Sequence, residues 1–298
     1  MNQRDFIASL SKAQRLYFAE KSNRAGLKRL AQQWSLIVVL MILVLQVTPL
    51  LLKLALMLPL GILLVFQFTL LHETSHRTPF KSRCLNDVVG HICGFILLLL
   101  PPEWFRLFHM EHHRHTNNPE ADPELAGAKP QNRRQYLWHI TGLPVWWGSI
   151  KTLWQNAFAM IDAAYIPEGK AAAIRREARI YVGLYALAIA LILLGNTALL
   201  MLWVIPVLLG QPFLRLYLLA EHAGCPHSKN LFENTRTTYT NGLVRWLAWN
   251  MPYHAEHHIY PAVPFFKLPE VHELIESDLL VTSRGYAWFN REYWKSTQ

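Results

Sequence analysis

Charge is scarce in this chain. Asp, Glu, Lys and Arg make up 16% of 298 residues, while apolar residues make up 52% and the mean hydropathy is positive. Such a balance excludes a disordered chain and argues against an ordinary water-soluble enzyme. Cysteine is scarce too. Cys84, Cys93 and Cys225 are widely spaced and form neither a CxxC pair nor an even-numbered set. A disulfide framework is thereby excluded, and unpaired thiols are expected. No internal repeat or low-complexity tract occurs. At the N-terminus no apolar core follows a short basic stretch, so a cleavable signal is not expected.

What is present is apolar sequence in long runs, which places the chain in a membrane. Spans are expected at about 34–47, 54–72, 180–194 and 198–219, the first two joined around Thr48-Pro49 and the last two through Gly195-Asn196-Thr197. Residues 88–100 are apolar but too short to cross, and a buried or re-entrant segment is expected there. His91 within it reads as a hydrogen-bonded core residue. Residues 1–33 read as amphipathic helix on the membrane surface. Residues 34–298 read as a single membrane domain. Trp104, Trp138, Trp146, Trp147 and Trp154 mark 104–178 as a layer along the interface. The turns between the apolar runs contain one basic residue, Lys53. By the positive-inside rule the N-terminal, central and C-terminal segments then face the cytosol, in a bacterial inner membrane by expectation. The expected fold is therefore an all-α membrane protein: four transmembrane helices in two hairpins under a cytosolic helical cap. The net charge of +9 follows from topology and anionic lipid, not from nucleic acid.

Histidine is where the chemistry concentrates. His254, His257 and His258 stand at i, i+3, i+4 in Asn250-Met-Pro-Tyr-His-Ala-Glu-His-His-Ile-Tyr-Pro261, and His109, His112 and His113 repeat that spacing. On a helix it puts three imidazoles on one face. His72 and His76 form an i, i+4 pair at the end of the second apolar run, and His222 follows the last run. Nine imidazoles exceed what one ion takes and suit two ions with four or five each. Each cluster also carries an acid: Glu73, Glu111, Glu221 and Glu256. A metal-bound imidazole commonly donates its other N–H to such a group. His115 and Asp122 are further candidates, for that supporting role or for the substrate side. A competing pattern is His72-Glu73-Thr-Ser-His76, which satisfies HExxH and would suit an intramembrane zinc peptidase. That chemistry leaves seven imidazoles without a role. A histidine-based metal or haem carrier is another alternative.

The histidine patterns, with the stretch from Asn250 to Pro261 and Pro264-Phe-Phe-Lys-Leu-Pro269, resemble the three histidine boxes of the membrane fatty acid desaturase superfamily over about residues 55–275. The resemblance implies a non-haem di-iron oxidoreductase using O₂ as co-substrate, with His222 as the extra ligand. In animal acyl-CoA desaturases an Asn lies four residues before that His and binds iron through water; here the position is Leu218, so that contact is absent or supplied from elsewhere. The expected activity is desaturation of a fatty-acyl lipid. Hydroxylation or ketolation of a lipid, alkane or carotenoid is the runner-up. Electrons are expected from a separate donor of ferredoxin, rubredoxin or cytochrome b5 type, received on a basic face that includes Arg133 and Arg134.

Overall fold

A computed structural model describes residues 1–97 and 99–297. Leu98, within the expected segment 88–100, and Gln298, at the end of the expected 34–298 domain, lie outside the described residues. Among the described residues the regular structure is helical apart from one two-stranded parallel ribbon. In order the helices are α1 (Gln3–Ser9), α2 (Lys12–Phe18), α3 (Asn23–Gln46), α4 (Leu50–Val65), α5 (Gln67–His76), α6 (Arg83–Ile96), α7 (Pro102–His115), α8 (Arg133–Ile140), α9 (Leu143–Phe158) and α10 (Glu168–Leu193). After α11 (Thr197–Leu199), a π-helical turn at Leu200–Val204 leads into α12 (Ile205–His222). The remaining helices are α13 (Leu231–Asn234), α14 (Gly242–Leu247), α15 (His254–Ile259), α16 (Leu268–Ile275) and α17 (Tyr286–Ser296). The ribbon pairs Thr237 with Thr282 and Thr238 with Ser283.

Among the described residues, three helical stretches are long and apolar enough to cross a membrane: Lys12–Gln46, Leu50–His76 and Thr197–His222. This corrects the expectation of four spans in two hairpins. The expected span at 180–194 falls in α10, whose first half carries Arg175, Arg176, Glu177 and Arg179. The uncharged remainder, Ile180 to Leu193, gives only about 21 Å of helix, against roughly 30 Å of hydrocarbon. The second stretch, by contrast, has 27 residues, or about 40 Å. Its last turns, with His72 and His76, therefore extend past the apolar layer.

Two glycines set how the spans cross. A Cβ on Gly61 of α4 would lie 1.9 Å from the Pro206 carbonyl oxygen, and one on Gly210 of α12 would lie 2.4 Å from the Gly61 carbonyl oxygen. Only glycine permits backbones to approach so closely. With α4 and α12 locked there, the His-bearing ends of α5 and α12 arrive together.

A polar network ties the cap to the spans. Trp34 Nε1 donates to Gln67 Oε1 at 2.9 Å, Gln67 Nε2 to Gln33 Oε1 at 3.3 Å, and Trp249 Nε1 to Gln33 Oε1 at 2.9 Å. Gln33 in turn donates to the carbonyls of Trp246 and Leu247. Trp249 and Asn250 have φ of 51° and 59°, a left-handed pair costly for such residues. The side-chain bonds of Trp249 to Gln33 and of Asn250 to the Phe265 carbonyl hold that turn and aim α15 into the cap. At α7 the capping residue is Pro101, and the buried Glu177 of α10 accepts the backbone N–H of Glu103 and Trp104 instead. Phe6, Leu10 and Phe18 of the N-terminal segment are buried in the same core as Val263, Leu268 and Val271. That segment is thus part of the cap's packing. His91, expected in the core, is half-exposed beside Glu177.

Gly210→Leu is expected to cost about 3 kcal/mol or more, because backbone on the facing helix cannot give way. Gly183→Ala, where nothing lies within 4 Å, is expected to be neutral or stabilising by up to about 1 kcal/mol. Thermal unfolding of the detergent-solubilised protein checks both; equal midpoints for the two variants would contradict the crossing argument.

Candidate metal centre

The nine imidazoles named above meet in one buried volume. His72 and His76 come from α5, His109, His112 and His113 from α7, His222 from α12, and His254, His257 and His258 from α15. They fall into two groups. His72, His76, His109, His113 and His257 each offer a nitrogen within 4.8 Å of the others, and so do His112, His222 and His258. His254 joins the second group through Nε2, which lies 3.0 Å from His222 Nε2 and 3.2 Å from His258 Nε2. In the first group His109 Nε2 is 2.9 Å from His76 Nε2 and 3.0 Å from His113 Nε2, and His257 Nε2 is 3.2 Å from His113 Nε2.

The outer nitrogens explain this orientation. His112 Nδ1 faces both oxygens of Asp122 at 2.9 Å. His258 Nδ1 meets Thr116 Oγ1 at 3.1 Å, and His222 Nδ1 meets the Asn234 carbonyl at 3.3 Å. A ring that donates Nδ1–H outward presents the Nε2 lone pair inward. Asp122 is itself held by the backbone N–H of Asn117 and Glu124. Burial alone would raise its pKa, but His112 and those two N–H groups outweigh burial and hold it below the usual carboxylate range. At His112 burial disfavours the charge, yet Glu124 and Asp122 prevail and hold the ring above its ordinary value. His109, His113, His254, His257 and His258 sit well below theirs, through burial first and neighbouring imidazoles second. They are neutral, which is the ligating form.

These features fit metal ions. Two nitrogens about 2.1 Å from one first-row ion, at a right angle, stand roughly 3.0 Å apart, which matches the observed separations. Both nitrogens of His72, and Nδ1 of His109, His113, His254 and His257, are buried without a hydrogen-bond partner. Buried polar atoms left so are uncommon unless something else satisfies them.

Other candidates lie elsewhere. Glu111 pairs with Arg114 and His115 on the outer side of α7, so neither Glu111 nor His115 meets a ring of the cluster. Glu256 bonds His272 and Thr237, joining α15 to α16 and to the ribbon. Glu221 Oε1 lies 3.6 Å from His254 Nδ1, and Glu73 Oε1 lies 3.9 Å from His257 Nδ1. Fully buried Glu73 accepts from Thr78 Oγ1 at 2.8 Å and from the Phe265 N–H at 3.2 Å. Both bonds use Oε2 and fix the Pro264–Pro269 stretch to α5, while Oε1 is left facing His257. Thr116 and Asn234 gave no signal in the sequence; one acts through a hydroxyl just past the box helix and the other through a backbone carbonyl.

A cavity of about 400 Å³ opens beside the rings, between α7, α9 and α12. Its wall contains His72 and His109 of the first group and His112 and His254 of the second, with Phe68, Phe105, Phe108, Val145 and Leu218. On the other side of α9, Trp147 and Trp154 are exposed, as befits a helix lying in a membrane interface.

The fatty acid desaturase family model matches residues 47–290, a segment that contains every ring described above. The chain belongs to the fatty acid desaturase family. It is accordingly a membrane oxidoreductase of the histidine-box, non-haem di-iron type. This desaturase is similar to the dihydrorhizobitoxine desaturase of Bradyrhizobium elkanii, 29% identical over 74% of this chain and 68% of that one. An sn-1 oleoyl-lipid 12-desaturase from Synechocystis is 40% identical over 30% of this chain and 27% of its own. The sphingolipid delta(4)-desaturase of Drosophila melanogaster is 28% identical over 67% and 59%. The match thus spans from about a quarter to about two thirds of these relatives' lengths.

Asp122→Asn is expected to weaken binding of one metal equivalent by about 10- to 100-fold, since it loosens His112. Glu111→Gln is expected to leave metal content unchanged. Metal analysis after dialysis against a graded chelator checks both, and equal retention in the two variants would contradict the assignment of Asp122.

Proposed function

We propose that the two groups of imidazoles hold two iron ions and that this desaturase introduces a double bond into an aliphatic chain lying in the adjacent cavity. One ion is assigned to His72, His76, His109, His113 and His257, the other to His112, His222, His254 and His258. The observation that carries the reading is the shared wall: rings of both groups and a run of apolar side chains line the same cavity. Bound there, the ions supply the O₂ activation needed to remove hydrogen from an unactivated methylene.

The protein's own part is positional. Asp122, Thr116 and the Asn234 carbonyl fix ring orientation. Phe68, Phe105, Phe108 and Leu218 hold a methylene pair against both groups and exclude water. The reaction balances as R–CH₂–CH₂–R′ with O₂, two electrons and two protons giving R–CH=CH–R′ and two waters. The relatives above are named as desaturases of three different substrates, which supports a shared reaction more than a shared substrate.

Electrons come from a separate carrier protein. The exposed Arg134, and Arg133 stacked on Trp294, form part of a basic face suited to an acidic carrier. The cap and the His-bearing helix ends face the cytosol, because Lys53 is the only Lys or Arg between Trp34 and His76.

Lipid profiling by mass spectrometry of cells with and without the protein tests the reading. The expected product is lighter than its precursor by two hydrogens and is lost in His257→Ala. A product heavier by one oxygen would assign a hydroxylase instead. Electron delivery is expected to slow as salt rises; a rate indifferent to salt would count against the basic face.

A further inference from the structure

We propose that the cavity carries an anion-binding subsite built on Arg215, and that it takes substrates presenting a free carboxylate. The inference rests on the reading of this cavity as the substrate site and names the substrate class. Arg215 lies on α12, seven residues before His222, or about 10 Å deeper along the helix. Its side chain lines the cavity and is 9% exposed. Its Nε is buried with no hydrogen-bond partner, and among the described residues no carboxylate lies within 4.0 Å of the guanidinium.

The two acids in the same wall act on the Arg215 charge at longer range without pairing with it. Glu124 lies 3.8 Å from His112 Nδ1 and Glu221 lies 3.6 Å from His254 Nδ1. Lys129 also lines the cavity without an acid partner among the described residues. His139 lies in the same wall with a buried, unpartnered Nε2. Burial, followed by the charges of Arg215 and Lys129, pushes His139 down to about 4. It is therefore a neutral ring beside two cations.

A cation inside a membrane-spanning helix is costly, and an unpaired one more so; such residues mark a ligand or pathway. A carboxylate matches the guanidinium fork with two parallel N–H···O bonds. Glu124 and Glu221 in the same wall disfavour a dianionic phosphate relative to a monoanion. With the acid end held at Arg215, the chain lies along Phe68, Phe105 and Phe108 and passes the imidazoles at a fixed distance. The position of oxidation is then counted from the carboxyl end of the substrate.

The test uses the full-length protein in detergent and three probes: decanoate, methyl decanoate and decyl phosphate. Decanoate is expected to bind at least tenfold more tightly than its methyl ester. Arg215→Gln is expected to abolish that advantage while ester binding persists, which also reports a folded variant. Arg215→Lys, which keeps the charge but loses the fork, is expected to retain part of the advantage and decides the matter should Arg215→Gln not fold. Equal binding of acid and ester by the unaltered protein overturns the subsite and leaves the cavity reading standing. An acid preference undiminished in the variants, or a preference for decyl phosphate, also overturns it. Binding of none of the three overturns the cavity reading together with the subsite.

Discussion

Lone pairs on neighbouring imidazoles repel one another at 3 Å unless a proton or a cation lies between them. That constraint governs this fold. Hydrogen bonds at Nδ1 of His112, His222 and His258 direct their Nε2 atoms inward, and burial strips the cap's box imidazoles, His112 apart, of their protons. A metal ion satisfies all of these inward nitrogens at once, which no sharing of protons between neighbouring rings does. Everything that positions the rings, from the Gly61–Gly210 crossing to the left-handed turn at Trp249 and Asn250, maintains an arrangement that is unfavourable without such an ion. The site and the fold are therefore one energetic unit, as expected where metal binding is coupled to folding.

Much of this was legible in the sequence because helical spacing is a one-dimensional record of a shared face. The i, i+3, i+4 triplets and the i, i+4 pair name the rings, and His222 follows from its place at the end of an apolar run. Distance along the chain says less about acids. Glu111 and Glu256 stand within the boxes, yet the helix turns them toward Arg114 and His272. Asp122, ten residues from His112, is brought back by the turn after α7. Thr116, Asn234 and Arg215 belong to no spacing pattern and appear only when separate helices are packed. The expectation of a span at 180–194 failed for a different reason. The Arg and Glu residues that open α10 leave an uncharged remainder too short to cross.

The same separation holds for function. The reaction class follows from ligand type and number, which the boxes encode directly. Substrate choice depends on the wall of the cavity, assembled from α7, α9 and α12 and from the loop around Glu124 and Lys129. Of those segments only α7 carries a box, although His72 of α5 and His254 of α15 also reach the wall. Relatives named for dihydrorhizobitoxine, an sn-1 oleoyl-lipid and a sphingolipid accord with a reaction class set by the rings and a substrate set by the walls around them.

Anomalous diffraction at the iron absorption edge, collected on crystals of the iron-loaded protein, locates the ions themselves. Two resolved peaks are expected, one enclosed by His72, His76, His109, His113 and His257 and the other by His112, His222, His254 and His258. A single peak, or peaks outside these rings, would contradict the two-ion assignment.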